Sequence, residues 1–428
     1  MVDAETEPSQ DTSLFRRILF MVGLIVAGEA IFGLPFHVAR FFRSQMLDAF
    51  GLTATELGAA QGIYGWTAMI AYLVGGPLAD RFSVRTLMAA SLVLTAFGGF
   101  YMLSLPGFFG LSVLYGYWGF STILLFWAAL VSATRLWGGS DSQGAAFGVL
   151  EGGRGALSAL VAFAAVLLFE FLLPEDPTTA TAADNIEAVR VTIAIYIGIT
   201  LVAAGLVWAF VPNVGPPSAS PAVVLRNIGQ VARLPAVWLQ AVIVVCAYVG
   251  FKGLDNYQLF AVEAYRLEEI EASKLMTYGF WTRAVAAVGA GLLGDRIRNS
   301  RVILLCFALL LVATLFFALT EPSIYAVLFL NILLTCTVVF ALRAVYFALF
   351  EEANIPSHMT GVAVGIVSFI GFTPETFVML AAGLFTDAAP GLRGHQNFFL
   401  FLAAFAAVGV VATLIFGRLI SRNGTTES

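Results

Sequence analysis

The sequence predicts an all-α membrane protein of twelve transmembrane helices, arranged as two pseudo-symmetric six-helix bundles. Three observations carry that expectation: the composition, the number and length of the apolar runs, and a loop pattern that occurs twice. Of 428 residues, 60% are hydrophobic and 11% are charged, and the mean hydropathy is +0.90. A soluble chain carries about 25% charged residues, so most of this chain is expected to be dissolved in lipid. The net charge of −5 offers no basic footprint for nucleic acid.

A helix needs about 20 apolar residues to cross a bilayer. An acidic, polar stretch, MVDAETEPSQDTS, comes first. The apolar run behind it is long enough to span, which argues against a cleavable signal peptide. Apolar runs then lie near 16–44, 57–79, 85–105, 108–134, 143–172, 190–211, 236–262, 273–294, 300–319, 323–350, 360–385 and 396–418. Between the sixth and seventh stands VPNVGPPSASPAVVLRN, rich in proline, serine and glycine, which reads as a loop. The expected organisation is an N-terminal tail (1–15), a first bundle (16–211), a central linker (212–235), a second bundle (236–418) and a C-terminal tail (419–428).

Orientation follows from the 22 basic residues. Arg16, Arg17, Arg81, Arg85, Arg135, Arg226, Arg233, Arg296, Arg298, Arg301, Arg418 and Arg422 fall on the side of the two termini. Arg40, Arg43, Arg190, Arg266, Lys274 and Arg393 fall on the other. By the positive-inside rule both termini are cytoplasmic, and an even number of spans agrees.

The halves echo each other. GGPLADRFSVR stands between runs two and three, and GLLGDRIRNSR between runs eight and nine. Both place small residues before an Asp-Arg pair and a further arginine. The candidate gating residues are Gly76, Asp80, Arg81 and Arg85 in the first loop and Gly294, Asp295 and Arg296 in the second. Glycine lets two helices approach at the turn, and the aspartate can accept the free amides of the next helix. Two such loops, six helices apart, point to a duplicated architecture.

Charges inside the apolar runs are the main functional signal. They are expensive at bilayer depth and usually face the interior of a helix bundle. Glu29 lies in run one, Glu151 and Arg154 in run five, Lys252 and Asp255 in run seven, Arg283 in run eight, Arg343 in run ten and Glu375 in run eleven. Glu151/Arg154 and Lys252/Asp255 are i, i+3 pairs, so each shares a helix face and can neutralise itself. One reading makes these pairs structural; the other shares the cations with an anionic ligand. Arg343 has no carboxylate three or four residues away and needs a partner from another helix or a ligand. Arg283 also lacks a local partner and is expected to reach Glu375 or Asp255. Arg40, at the outer edge, tips the balance positive, although a long cation there can snorkel to the headgroups.

The loop GGPLADR resembles the signature between helices two and three of the major facilitator superfamily, and the resemblance covers essentially the whole chain. It implies alternating access around a central cavity lined by helices 1, 4, 7 and 10. The stretch PFHVARFFRSQMLDAFGLTATELGAAQGIYGWTAMIAYLVGGPLADR resembles the organophosphate:phosphate antiporter branch, with Arg40 at the place of that branch's helix 1 arginine. YVGFKGLDNY has Lys252 near its helix 7 arginine, at shifted spacing. EGGRG, GVAVGIVSFIGFTPETF and GLRGHQNFF resemble a group of bacterial permeases, some encoded beside sugar-acid or sulfosugar genes. The resemblance implies a secondary active transporter of the bacterial inner membrane.

From these residues the expected substrate is a small organic anion such as a sugar phosphate or sugar acid, moved by proton symport or anion exchange. Arg40, Arg154, Lys252 and Arg343 are the candidate substrate ligands. Tyr257 and Tyr346 join them, each about one turn from a favoured charge. Glu29, Glu151, Asp255 and Glu375 are the candidate proton carriers, and Pro374 is expected to kink helix 11 beside the last of them. The alternatives are a non-transporting membrane sensor of a small solute, and a transporter of a neutral solute in which the charges are purely structural. No P-loop is present, so no nucleotide is expected. Nor does any spacing suggest a catalytic cluster, a metal site or a cofactor, so the chain does not read as an enzyme. Cys246, Cys306 and Cys336 read as free buried thiols. Membrane lipid is the only other partner expected, and a monomer suffices.

Overall fold

The computed structural model describes residues 14–79, 82–138, 143–174, 181–213, 229–322, 324–355 and 357–424. These fold as twelve long helical rods and no strand. The first six are α1 (Leu14–Phe41), α2 (Ala54–Ala79), α3 (Val84–Met102), α4 (Phe108–Gly138), α5 (Ala146–Leu172) and α6 (Ala182–Phe210). The second six are α7 (Pro235–Glu263), α8 (Glu269–Ile297), α9 (Asn299–Leu319), α10 (Tyr325–Glu352), α11 (Ala363–Ala388) and α12 (Leu392–Ser421). Ten of the twelve are long and apolar enough to cross a membrane by length and composition. The other two, α2 and α8, are the rods that carry glycine and charge toward the opposite half.

Local signals set the boundaries. Ser83 starts α3 by accepting the Thr86 amide at 3.2 Å. Thr181 and Asp184 form a reciprocal capping box at the start of α6, which satisfies two orphan amides together. Gly391, at φ +80°, turns the chain from α11 into α12, a conformation that costs glycine nothing.

Five rods are interrupted at mid-length. A wide π turn breaks α1 at Gly33–His37 and α4 at Ile123–Trp127. A tight 3₁₀ turn breaks α7 at Leu254–Asn256 and α10 at Tyr346–Ala348. Pro35 and Pro374, each without an amide proton, sit in the breaks of α1 and of α11, the latter a 3₁₀ turn at Thr373–Thr376. Four of the five breaks fall on the first and fourth rod of each half, where the loosened backbone can face a ligand.

Within the first half α2 packs on α4, and α6 packs on α1 and α3; within the second, α9 and α7 pack on α12, and α8 on α10. Two seams join the halves, α2 against α11 and α5 against α8. Both seams run along the side of the protein away from the termini. On the terminal side, Arg17 bonds to Trp137, Arg85 to Trp208, and Ser300 to Glu352, all within one half. Among the described residues, the halves thus meet on the far side, while these terminal-side ties stay within one half.

Candidate functional site

Two charge clusters lie side by side where the broken rods meet. The first is centred on Glu29 of α1. One of its carboxylate oxygens is 3.1 Å from His37 Nε2; the other is 3.6 Å from both Arg154 of α5 and Arg283 of α8. Arg154 is held most tightly by Glu151, at 2.5 Å. Arg283 also reaches Glu151, at 3.5 Å. The glycines around Glu151 and Arg154 have a direct use. A Cβ on Gly155 would meet the Arg283 side chain at 3.1 Å, and one on Gly28 would meet Arg154 at 3.0 Å. Side chains at those two positions would push both guanidinium stems off Glu29.

The second cluster is centred on Lys252 of α7. Its ammonium is 2.7 Å from Asp255 and 2.9 Å from Glu375 of α11, and lies 4.5 Å above the Phe36 ring. Tyr248 donates its hydroxyl to Glu375 at 2.7 Å. Arg40 of α1 crosses between the halves and pairs with Asp255, with the rings of Phe251 and Phe280 each 5.1 Å away.

Arg343 of α10 stands apart from both. Among the described residues it makes no ion pair. Its guanidinium lies over the Phe251 ring at 3.9 Å and near Tyr248 at 5.4 Å. One terminal nitrogen, Nη1, is buried without a hydrogen-bond partner. Glu151, Glu375 and Tyr346 are the charged and polar neighbours within its electrostatic reach.

Several expectations change here. Arg40 does not sit at headgroup level: it is buried and paired, because α1 continues through its π turn and carries the arginine against α7. Arg43, counted with the outer loops, is fully buried; the helix restarts after Phe42 as the short helix Arg43–Phe50, which packs on α6 and the end of α7 and bonds through Ser44 to Gln258 and Glu269. Arg283 pairs with Glu29 and Glu151 rather than with Glu375 or Asp255, because α8 packs on α5. Tyr257 points away from the charges and packs edge-on against Phe399 of α12, at 5.3 Å, in the core of the second half. Tyr346 is buried beside Phe347 and shares the Arg343 neighbourhood.

Of the gating residues, Asp80 and Arg81 lie outside the described residues. Gly76 falls in α2, and Asp295 and Arg296 end α8. The space beside Gly294 is filled by Asn299. Arg85 ties α3 to α6 by donating to the Trp208 carbonyl at 3.4 Å. In the second loop it is Arg298, at φ +84°, that pairs with Glu352 of α10, at 3.7 Å. His37, Tyr248 and Phe251 were not singled out by sequence reasoning. Tyr248 and Phe251 had a usable signal, since they lie four and one residues before Lys252 in a rod expected to line the cavity. His37 had none beyond following Pro35. Among the described residues no group of three histidines, cysteines or acids could hold a metal ion.

Residues 18–379 match the model of a family described as Major Facilitator Superfamily. Two Escherichia coli (strain K12) proteins are similar along nearly the whole length. Inner membrane protein YihN is 26% identical over 418 residues, covering 93% of this chain and 95% of its own. Inner membrane protein YqcE is 26% identical over 416 residues, covering 94% of each. Among solved structures, the nucleoside transporter NupG superposes with a TM-score of 0.72 at 11% identity, over 94% of this chain and 98% of that one. A bacterial homologue of the human lysosomal transporter Spinster, inward-facing and unoccupied, gives 0.73 at 13% identity, over 97% and 99%.

Proposed function

The chain belongs to the major facilitator superfamily, and from that premise we propose that it moves a small organic anion across the inner membrane by alternating access, with Arg343 as the anchoring cation. It is a multi-pass transporter rather than an enzyme. The far-side contacts between the halves fit an inward-facing state, given the cytoplasmic termini that the basic residues favour.

One observation carries the substrate class. Five basic side chains, Arg40, Arg154, Lys252, Arg283 and Arg343, share the mid-depth layer with four acidic ones, Glu29, Glu151, Asp255 and Glu375. Four of the five bases are engaged by those carboxylates, which leaves Arg343 unpaired among them; Arg43, in the short helix after α1, is a second buried guanidinium without a hydrogen-bond partner. A buried charged donor left without an acceptor is costly, so the site favours a ligand that supplies one. A guanidinium is a planar fork that fits a carboxylate, phosphate or sulfonate through two parallel bonds. Phe251 holds that fork flat, and Tyr346 is placed to add a hydroxyl. Lys252, the other candidate anchor, is occupied by Asp255 and Glu375 and serves the ligand only if one of them lets go. The carboxylates are then available for proton symport, or stay charged in anion exchange.

A thermal-shift screen in detergent tests this, with sugar phosphates, sugar acids, sulfonates, dicarboxylates, neutral sugars and nucleosides. A ligand at 100 times its Kd stabilises by about 2.7 kcal/mol. One anion class is expected to raise the Tm of the wild type and not of Arg343→Gln. A second reading rests on the near-complete mutual pairing of the other four cations, which suits a neutral solute. A shift by neutral compounds alone, retained in Arg343→Gln, would establish that reading and remove ours.

A further inference from the structure

We propose that His37 is the proton-binding site that couples transport to the proton gradient, with Nδ1 as the acceptor and the Glu29–Arg283 contact as the element it switches. This rests on the transporter reading above and names the coupling ion that reading leaves open.

The tautomer follows from the geometry. Glu29 faces two guanidinium groups and is a carboxylate, which can only accept. The imidazole nitrogen 3.1 Å from it, Nε2, is therefore the one that carries hydrogen. The opposite tautomer would give up that bond and leave a buried N–H unsatisfied. Nδ1 is left with a lone pair, buried and without a partner. Histidine is the side chain suited to exchange a proton in the physiological range. His37 sits in the π turn of α1, buried against Phe41 and Tyr196, whose rings meet it edge-on at 5.6 and 5.7 Å. The polar and charged groups around it are Glu29 on its own rod, Ser158 of α5, whose hydroxyl is 3.5 Å from Nε2, the Tyr196 ring on α6 and, through Glu29, Arg154 on α5 and Arg283 on α8.

A proton taken from water on the far side onto Nδ1 makes an imidazolium, and Glu29 then faces three cations. The distances decide which one leaves. Arg154 keeps Glu151 at 2.5 Å, whereas Arg283 holds nothing closer than 3.5 Å. Arg283 is also the only one of the three from the second half. Protonation thus loosens the α1–α8 contact, leaves Arg283 to Glu151 of α5 alone at 3.5 Å, and favours opening of the far side. In the reverse direction, docking of Arg283 onto Glu29 expels the proton toward the terminal side. Proton binding and far-side closure compete for one carboxylate, so the protonation of His37 and the side on which the protein is open are linked.

The test needs no substrate. Spin labels at Phe171→Cys, at the exposed far end of α5, and Ile324→Cys, at the exposed start of α10, report far-side separation once Cys246, Cys306 and Cys336 are replaced by alanine. Distances are measured in lipid nanodiscs at pH 8 and pH 5.5. The long-distance population is expected to rise about threefold or more at pH 5.5, to be insensitive to pH in His37→Gln, and to remain sensitive in His395→Gln. An unchanged wild-type distribution, or a persisting response in His37→Gln, overturns the proposal. If His37→Gln does not fold, Arg283→Gln decides: it should be open at both pH values, and a retained pH response in it overturns the proposal equally. Anion stabilisation through Arg343, measured at pH 8, stands or falls separately.

Discussion

The two seams that join the halves occupy equivalent places in the duplicated architecture, since α8 corresponds to α2 and α5 to α11, yet they are built from different materials. The α2–α11 seam is backbone on backbone. Gly58, Gly62 and Gly65 line one stripe of α2, and a Cβ on Gly62 would stand 2.6 Å from the Thr376 carbonyl, one on Gly65 2.7 Å from the Glu375 backbone. Its polar crossing is the Thr55 amide, donated to Asp387 at 2.7 Å. The α5–α8 seam is built on side-chain charge: Arg283 on Glu151, and on Glu29 of the adjoining α1, at its inner end, Lys274 on Glu170 at 2.6 Å at its outer end. Small-residue packing is set by shape and does not respond to protons or ligands. Ion pairs respond to both. The comparison assigns the first seam the role of a geometric stop and the second the role of a switch.

The sharpest way to break that assignment is to fill the stop. Gly62→Leu puts a side chain where only a carbonyl fits, and the obstacle is backbone, which cannot rotate aside. Overpacking of this kind costs about 1–3 kcal/mol, so the closed far side should lose about tenfold or more of its population. Far-side distances between labels on α4 and α10 should lengthen at every pH. If the distances stay as in wild type, the glycine stripe is not what permits closure.

That stripe, LGAAQGIYG with small residues four and three apart, was not singled out in the sequence, whereas the apolar runs, the doubled loop and the two i, i+3 pairs were legible. All of these are properties of one helix read by itself. The partners between distant rods were not legible: Arg40 with Asp255, Arg283 with Glu29, Lys252 with Glu375. Which rod faces which, and at what height, depends on the packing of distant segments, and nothing in the spacing of Arg283 distinguishes Glu29 from Glu375. Arg40 and Arg43 were placed near the outer surface because hydropathy alone cannot see that the chain breaks at Phe42 and restarts as a short helix packed on α6 and the end of α7. His37 escaped because a lone histidine carries no pattern; only its unpartnered Nδ1 gives it away.

The switch seam is expected to give a smaller effect than the stop. Arg283→Gln removes the second half's grip, while Glu29 keeps Arg154 and His37, and Glu151 keeps Arg154. No carboxylate is stranded, so the loss is that of charge-assisted contacts, about 1–3 kcal/mol, reduced by the half-exposed Glu151 side chain. Far-side opening should rise several-fold. The α2–α11 spacing, read by labels at the far ends of α2 and α11, should move less than the α5–α8 spacing. Equal movement of both seams would mean that the halves rotate as rigid bodies and that charge and shape do not divide the work.

The outer pair of the same seam sets the lower limit. Lys274 and Glu170 are partly exposed, at 27% and 46% of their side-chain surface, and surface pairs are worth about 0.2–1 kcal/mol. Lys274→Ala should therefore shift the far-side distances by less than about fivefold in population, and salt should abolish the difference from wild type, because at 1 M the screening length falls to about 3 Å. Arg283→Gln should keep most of its effect in the same salt, since Glu29 is buried away from counter-ions. If salt erased both effects alike, the inner contacts would be as wet as the outer one. The α5–α8 seam would then lack the dry carboxylate that a proton switch at His37 needs.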